Sequence, residues 1–215
     1  MTSTDSARAP RLPREQRRQQ VLGAALEVFS SVGYHAASMD DIAERAGVSK
    51  PVLYQHFPGK LDLYLALLDA GLDDLRAAAK AALTTTTDNR LRVSAIVHAY
   101  FAFVEEPSGA FRLVFESDLA NEPGVRQRVD AVDLELARLS ATVIAEDTGL
   151  SDQQAMLLAS GIQGMVQVAA RRWLRDDATD STRGEAAELI TSLAWRGISG
   201  FPLTHPPQDD DSPAP

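Results

Sequence analysis

Between about residue 14 and residue 201, apolar positions recur every three to four residues, which is the spacing of one face of an α-helix. The first such segment runs from Arg14 to Val32, and Gly33 then supplies a residue suited to a left-handed helix stop. Sustained alternation with period two is missing, and so are hairpin dipeptides such as Asn-Gly. The pattern therefore predicts an all-α fold.

Two short helical segments follow the first helix. Ser38, with Asp41 three residues later, resembles the capping box that begins a helix, and Gly47 ends that helix. The next helix has Pro51 in its first turn, where the missing N–H costs nothing. Two short helices joined by a tight turn form the arrangement that places a second helix in the major groove of DNA.

The second of these helices has one face for the core and one for a partner. Leu53 and Phe57 lie four residues apart and are predicted to anchor the helix. At 100° per residue the opposite face, with its flanks, carries groups suited to base edges and phosphates. These candidate DNA contacts are Lys50, Pro51, Val52, Tyr54, Gln55 and His56. The alternative is a helical hairpin inside a bundle, in which Tyr54 and His56 have no binding role.

Charge is distributed unevenly along the chain. The formal net charge is -9. Residues 1–60 carry eight Lys/Arg and six Asp/Glu, which gives +2, and the remaining 13 Lys/Arg and 24 Asp/Glu give -11. Because an acidic protein repels a polyanion, the five Arg within the first 18 residues, including Arg17 and Arg18, are candidates for contacts with DNA. The alternative is a solvated, disordered arm.

The segment from Arg17 to Leu68 resembles the TetR family of bacterial transcriptional regulators. The resemblance rests on Gly33-Tyr34, on SMDDIA (38–43), AGVS (46–49) and LYQHF (53–57), and on Lys60. It implies DNA contacts by Lys50, Pro51, Val52, Tyr54 and His56. It also implies a phosphate contact by Lys60 and a helix cap that touches the DNA backbone at Ser38.

The resemblance implies an all-helical fold, with a helix–turn–helix head of three helices and a larger helical body that binds a ligand and dimerises. The predicted function is a ligand-responsive repressor that binds a near-palindromic operator as a homodimer. KPVLYQHFPGKLDLYLALLD (50–69) and VFESDLANEPGVR (114–126) are also similar to actinobacterial regulators of fatty-acid metabolism. That similarity implies an apolar effector such as a fatty acyl-CoA. An activator of the same fold and a helical protein-interaction module without DNA binding are the alternatives.

One predicted helix, around residues 155–170, is apolar on nearly all sides, so both of its faces must be covered. A partner copy can cover one face, and the alternative is a central helix in a monomeric bundle. A second stripe on this helix, through Leu157, Gly161, Gly164 and Val168, has glycines that permit close helix approach. The predicted dimer contacts are Leu158, Ile162, Val166, Ala169 and Trp173, together with Leu189 and Leu193 of the final helix.

Four of the seven Phe residues fall within residues 101–115, which is a candidate lining for an apolar pocket. Plain core packing is the alternative for any one of them. Gln163 and Gln167 lie four residues apart and thus on one face of the helix, where both could hydrogen-bond to a ligand or lie in a dimer interface. The predicted pocket residues are Phe101, Phe111, Phe115, Leu113, Gln163, Met165 and Gln167.

The chain has no Cys, and its four His are far apart, with no HExxH spacing. It has no GxSxG nucleophile elbow and no phosphate-binding glycine loop. We therefore expect no enzyme activity, no cofactor and no metal. No apolar run approaches the length of a membrane span, so we expect a cytoplasmic protein without a membrane partner.

Four regions are predicted from these patterns. A disordered basic arm covers residues 1–13, and the DNA-binding domain covers 14–59. The effector-binding and dimerisation domain covers 60–201. A disordered acidic tail rich in Pro covers 202–215.

Overall fold

A computed structural model describes residues 13–106, 119, 121–175 and 181–198. Within these residues the secondary structure consists of eight helices and no strand, which confirms the all-α prediction. The helices are α1 (Arg14–Ala36), α2 (Met39–Arg45), α3 (Lys50–His56), α4 (Lys60–Thr84), α5 (Asn89–Glu105), α6 (Pro123–Thr148), α7 (Asp152–Arg175) and α8 (Arg183–Ile198).

The chain forms two compact units that divide inside α4, between Leu67 and Leu68. Unit 1 contains α1, α2, α3 and the first two turns of α4, and unit 2 contains the rest. Residue 13 is the only described part of the predicted arm, and the predicted tail lies outside the described residues.

Unit 1 is held together by a small aromatic cluster. The rings of Phe29 and Tyr34 on α1 lie with their centroids 5.5 Å and 5.3 Å from that of Tyr64 on α4. Gly33 interrupts α1 with φ of 78°, a left-handed backbone that disfavours other residues. The interruption falls where the sequence predicts the helix stop, and the chain turns there so that Tyr34 reaches α4.

The helix–turn–helix has the end signals that the sequence predicts. The Ser38 hydroxyl accepts a hydrogen bond from the Asp41 N–H, and the Asp41 carboxylate accepts one from the Ser38 N–H. Gly47, with φ of 62°, ends α2, while the Val48 N–H donates to the Ala43 carbonyl at 3.0 Å. Both ends of α2 are therefore determined by local side-chain and backbone chemistry.

Unit 2 is a helical bundle whose largest buried cluster joins α4, α5, α7 and α8. Ser151 caps the start of α7, where Ser151 and Gln154 exchange hydrogen bonds. At the start of α6, Glu122 occupies the cap position and Pro123 begins the helix. Pro suits the first helical position because its φ is already helical and it has no N–H to satisfy.

Candidate functional site

The outer face of α3 is open, as the helical periodicity predicts. Leu53 and Phe57 are buried, whereas Tyr54 has 48% of its surface exposed. Pro51 and Gln55 are also exposed, and Val52 and His56 are half-buried. The short helix therefore presents a phenol, an amide and apolar groups together on one side, which is a set that can contact base edges.

Lys50 begins α3 and forms an ion pair with Asp40 of α2 at 2.5 Å. The hydrogen bond and the negative charge of Asp40 raise the pKa of Lys50, so this side chain stays cationic. Both side chains are well exposed, which makes the pair weak. A phosphate that approaches α3 would compete with Asp40 for the Lys50 ammonium.

Arg17 and Arg18 both lie on the first turns of α1 and are half-buried. The Arg18 guanidinium lies over the Phe57 ring at 5.0 Å from its centroid, and Arg17 donates to Gln20. The Gln20 amide in turn donates to the Ala46 carbonyl at 2.8 Å. Through these contacts α1 packs against the turn between α2 and α3 and against the end of α3. The DNA contacts of Arg17 and Arg18 stay predictions.

In unit 1, the Lys60 side chain links the start of α4 to the end of α1 through hydrogen bonds. Its ammonium donates to the carbonyls of Tyr34 and Ala37 at 2.8 Å and to that of His35 at 3.3 Å. The same ammonium lies 4.4 Å from the centroid of the Tyr34 ring. The three donors of the ammonium are thus all engaged. The phosphate contact predicted for Lys60 stays a prediction, and it would have to replace one of these bonds.

Unit 2 contains a partly open, largely aliphatic cavity of about 120 Å³, several times the space that one water molecule needs. Its walls come from α4, α5, α6, α7 and α8. The apolar lining includes Leu75, Ala79, Val93, Ile96, Val97, Tyr100, Leu136, Val143, Ile144, Ile162, Val166 and Trp195, and the polar lining consists of Asn89, Arg92, Ser140, Asp147, Thr148, Gln163 and Gln167. An apolar wall with a few polar groups is typical of a site for a hydrophobic small molecule.

Two of the predicted pocket residues are elsewhere. Phe101 does not line the cavity, because it faces the core and packs on Trp173 with ring centroids 5.6 Å apart. Met165 is also absent from the lining. Both corrections follow from helix rotation, since Tyr100, one residue before Phe101, takes the cavity side of α5. On α7 the cavity side is taken by Gln163, Val166 and Gln167. Phe111, Phe115 and Leu113 lie outside the described residues.

A polar cluster adjoins the cavity. Gln163 and Gln167, which line it, both donate through Nε2 to Asp133 Oδ1 at 2.8 Å. Burial raises the pKa of Asp133, although the two glutamine bonds oppose that rise. The Tyr100 hydroxyl is buried without a hydrogen-bond partner among the described residues, and burial and Asp133 raise its pKa. Sequence reasoning missed Asp133, whose only signal was the pair of glutamines at helical spacing.

The structure partly buries the stripe of α7 that was predicted to contact a partner copy and exposes the second stripe. Val166 is only 3% exposed, and Ile162, Ala169 and Trp173 pack against the same core cluster. Val166 is therefore wrong as a dimer contact, because the core of unit 2 covers it, whereas Ile162, Ala169 and Trp173 are only partly buried and stay predicted contacts. Leu158, the fifth predicted contact on α7, is half-buried.

The exposed apolar face belongs to the other stripe of α7 and to α8. Leu157 and Val168 on α7 are exposed, as are Leu189 and Leu193 on α8, with exposed fractions of 58–74%. On α7, Gly161 lies in the same stripe, and a Cβ placed there would meet no atom within 4 Å. Exposed large apolar side chains at helical spacing are typical of a surface that another protein covers. We call this surface the α7–α8 face.

Residues 21–67 match the profile described as bacterial regulatory proteins of the tetR family. The HTH-type transcriptional activator FasR of Mycolicibacterium smegmatis is 46% identical over 197 residues, which cover 92% of this chain and 90% of FasR. The chain belongs to the TetR family of bacterial transcriptional regulators. It is therefore a DNA-binding regulator with a helix–turn–helix, and family membership confirms that it is not an enzyme. The interaction module without DNA binding is set aside.

Solved structures agree with this assignment. A TetR-like transcriptional regulator from Rhodococcus sp. RHA1 superposes with a TM-score of 0.70 at 29% identity, over 88% of this chain and 100% of that one. FadR from Bacillus subtilis, solved in complex with stearoyl-CoA, has a TM-score of 0.67 at 18% identity, over 85% of this chain and 98% of its own.

The helices in the described part of the chain include none with the length and apolar character of a membrane span.

Proposed function

We propose that this TetR-family protein binds a near-palindromic operator as a homodimer and that an apolar effector in the unit 2 cavity changes its affinity for DNA. The observation that carries the DNA half of the proposal is the open outer face of α3. The residues proposed to contact DNA are Arg17, Arg18, Ser38, Lys50, Pro51, Val52, Tyr54, Gln55, His56 and Lys60. We further propose that the protein acts in the cytoplasm, where its operator lies.

The α7–α8 face supports the dimer. A two-fold dimer buries the same patch on both copies, so one apolar surface is enough to build the whole interface. We propose this face as the centre of the interface, with Leu157 and Val168 joining the predicted contacts Leu189 and Leu193. A dimer presents two α3 helices, which matches half-sites roughly 34–36 Å apart on one side of the duplex.

The cavity supports an effector with a long apolar part, such as a fatty acyl-CoA. Its aliphatic lining favours hydrocarbon over a polar metabolite. A protein of the same fold, FadR from Bacillus subtilis, was solved in complex with stearoyl-CoA, which is a ligand of this class. We propose that the effector shifts α4, which begins in unit 1 and continues in unit 2. Operator affinity then changes by the difference in effector affinity between the two states.

Repression, which the sequence resemblance implies, stays a prediction. Activation is the second candidate, because the relative with 46% identity over nearly the whole chain is described as a transcriptional activator. In vitro transcription from the promoter upstream of the gene distinguishes the two. Added protein lowers the transcript under repression and raises it under activation.

Replacing Tyr54 by Ala should weaken operator binding by about 1–3 kcal/mol, the usual cost of losing a base-edge contact. Tyr54 is exposed, so its removal should leave the fold intact. The measurement is a fluorescence-anisotropy titration at a fixed salt concentration, on DNA from upstream of the gene. Val32→Ala is the matched control, because Val32 is an exposed apolar residue of α1 and is not among the predicted DNA contacts. Equal affinities for the two variants would remove Tyr54 from the interface.

Filling the cavity should weaken effector binding and leave operator binding unchanged. In Ser140→Trp the indole should occupy space between α5, α6 and α7. We expect affinity for lauroyl-CoA to fall by about tenfold or more, as when a pocket loses the volume for several methylenes. Operator affinity without ligand should stay unchanged. Thr142→Trp, two residues along the same helix and exposed, is the control, and isothermal titration calorimetry is the measurement. An equal loss in both variants would place the ligand elsewhere.

A further inference from the structure

A carboxylate that is not among the proposed DNA contacts lies directly beside them. Asp40 is in the first turn of α2, is exposed, and forms the ion pair with Lys50 at 2.5 Å. It takes no part in the capping box of α2, which Ser38 and Asp41 make. Tyr54 follows Lys50 by one turn of α3 and interacts with its charge. Asp40 therefore belongs to the same surface as Lys50 and Tyr54.

The negative charge of Asp40 weakens binding to the phosphates of DNA. It repels them and offsets the attraction of Lys50, so the ion pair as a whole gains little from the DNA backbone. A lysine that only bound phosphate would bind it better without an acidic neighbour. At a base edge the pattern of donors and acceptors decides the contact, and there a carboxylate can contribute.

The two side chains place a donor group next to an acceptor group. The Lys50 ammonium only donates hydrogen bonds, and the Asp40 carboxylate only accepts them. In the major groove a G·C pair shows the acceptors N7 and O6 of guanine and, next to O6, the N4 donor of cytosine. Lys50 is the first residue of α3, and the first residues of a recognition helix contact base edges. The ion pair thus has the pattern that complements a G·C pair.

The other base pairs match this pattern less well. In either orientation an A·T pair offers the ammonium a single acceptor beside an amino donor, whereas G·C offers it two acceptors. The reversed pair, C·G, puts the amino donor of cytosine on the lysine side, where it meets the ammonium. G·C is therefore the pair that satisfies both side chains.

We propose that Asp40 and Lys50 together recognise one G·C pair in each half-site, with Lys50 donating to guanine O6 and N7 and Asp40 accepting from cytosine N4. Asp40 is then a specificity-determining residue on α2, outside the recognition helix. Its charge disfavours duplexes that lack the matching amino group, which is selectivity gained against wrong partners. This inference rests on the proposed DNA contacts of α3, and it adds a residue and a base pair to them.

The test is selection of bound duplexes from a random library by the full-length protein, followed by sequencing. The wild-type motif should contain a position in each half-site where G·C is favoured about tenfold over the other pairs, as is usual for one mismatch. In Asp40→Ala this preference should fall to about twofold or less, while the other positions keep theirs. Lys50→Met should relax the same position. Asp40 is exposed, so the fold should tolerate its replacement.

Glu44→Ala is the matched control. Glu44 is exposed on α2 one helical turn after Asp40, so its replacement removes the same charge from the same helix. It should change the affinity for all sequences alike and leave the motif intact. Anisotropy titrations on the selected operator and on its single-base-pair variants give the fold-changes for each protein.

The outcomes separate this inference from the operator proposal. If Asp40→Ala only raises the affinity for every duplex by one factor, as Glu44→Ala does, Asp40 acts on phosphates alone and the inference is wrong. It is also wrong if Asp40→Ala and Lys50→Met relax different positions, or if the shared position prefers a pair other than G·C. In these cases the wild-type motif and the operator proposal stand. If the wild-type protein selects no near-palindromic motif, the operator proposal fails together with this inference.

Discussion

Leu193→Asp should convert the dimer to a monomer and lower operator affinity by about 100-fold or more, because burial of a Leu side chain is worth about 1.5–3 kcal/mol and the two-fold axis doubles the loss. Leu193 lies in the α7–α8 face beside Leu189, one helical turn earlier. The new carboxylate would also be buried without a partner. A monomer presents a single α3, so it loses the second half-site. Sedimentation velocity and anisotropy titration measure the two effects.

Leu91→Asp is the control for this experiment. Leu91 is exposed on α5 to nearly the same extent as Leu193 and lies outside the α7–α8 face. An Asp in the first turn of a helix is also favourable to its dipole, so the fold should tolerate the change. If Leu91→Asp dissociates the dimer and Leu193→Asp does not, the interface lies on another surface.

Lys60→Met should lower the free energy of unfolding of unit 1 by about 2–4 kcal/mol, given that hydrogen bonds to charged groups are worth about 1.5–3 kcal/mol each and do not add fully. The substitution keeps most of the aliphatic stem and removes the ammonium. The carbonyls of Tyr34 and Ala37, which each accept at 2.8 Å, then lose a donor in a partly buried place. Urea unfolding followed by near-ultraviolet circular dichroism measures the loss.

Two variants show whether the geometry or only the charge matters at position 60. Lys60→Arg keeps the charge, but its planar guanidinium does not match three converging carbonyls, so we expect an intermediate loss. Lys80→Met removes a lysine whose ion pair with Glu135 is largely exposed, and it should cost about 0–1 kcal/mol. Equal losses for Lys60→Met and Lys80→Met would show that the Lys60 hydrogen bonds stabilise the fold no more than an exposed ion pair does.

The helix–turn–helix could be predicted closely because its signals are local. Ser38 and Asp41 cap α2 through atoms three residues apart, and Gly47 ends it through a backbone conformation. The spacing of Leu53 and Phe57 alone determines which side of α3 is buried. Each of these features depends on a few neighbouring residues, so one sequence is enough to locate them.

The assignment of faces on α7 could not be predicted in the same way. Two apolar stripes share one helix, and the periodicity of Val166 is as good as that of Leu157 or Val168. Which stripe is buried depends on where α5 and α8 pack, and those helices are far away in sequence. The same limit explains Phe101, whose aromatic character fits a core and a pocket equally well.

By itself, the amino-acid sequence determined the helical fold, the ends of α2 and the outward face of α3, because capping, glycine conformation and helical periodicity act over a few residues. Only the tertiary structure decided the three contacts of Lys60, the burial of Val166, and the meeting of Tyr100, Gln163 and Gln167 around Asp133. Those features bring together residues from separate helices. Their relative rotation is set by the packing of the whole bundle, which no local pattern in the sequence encodes.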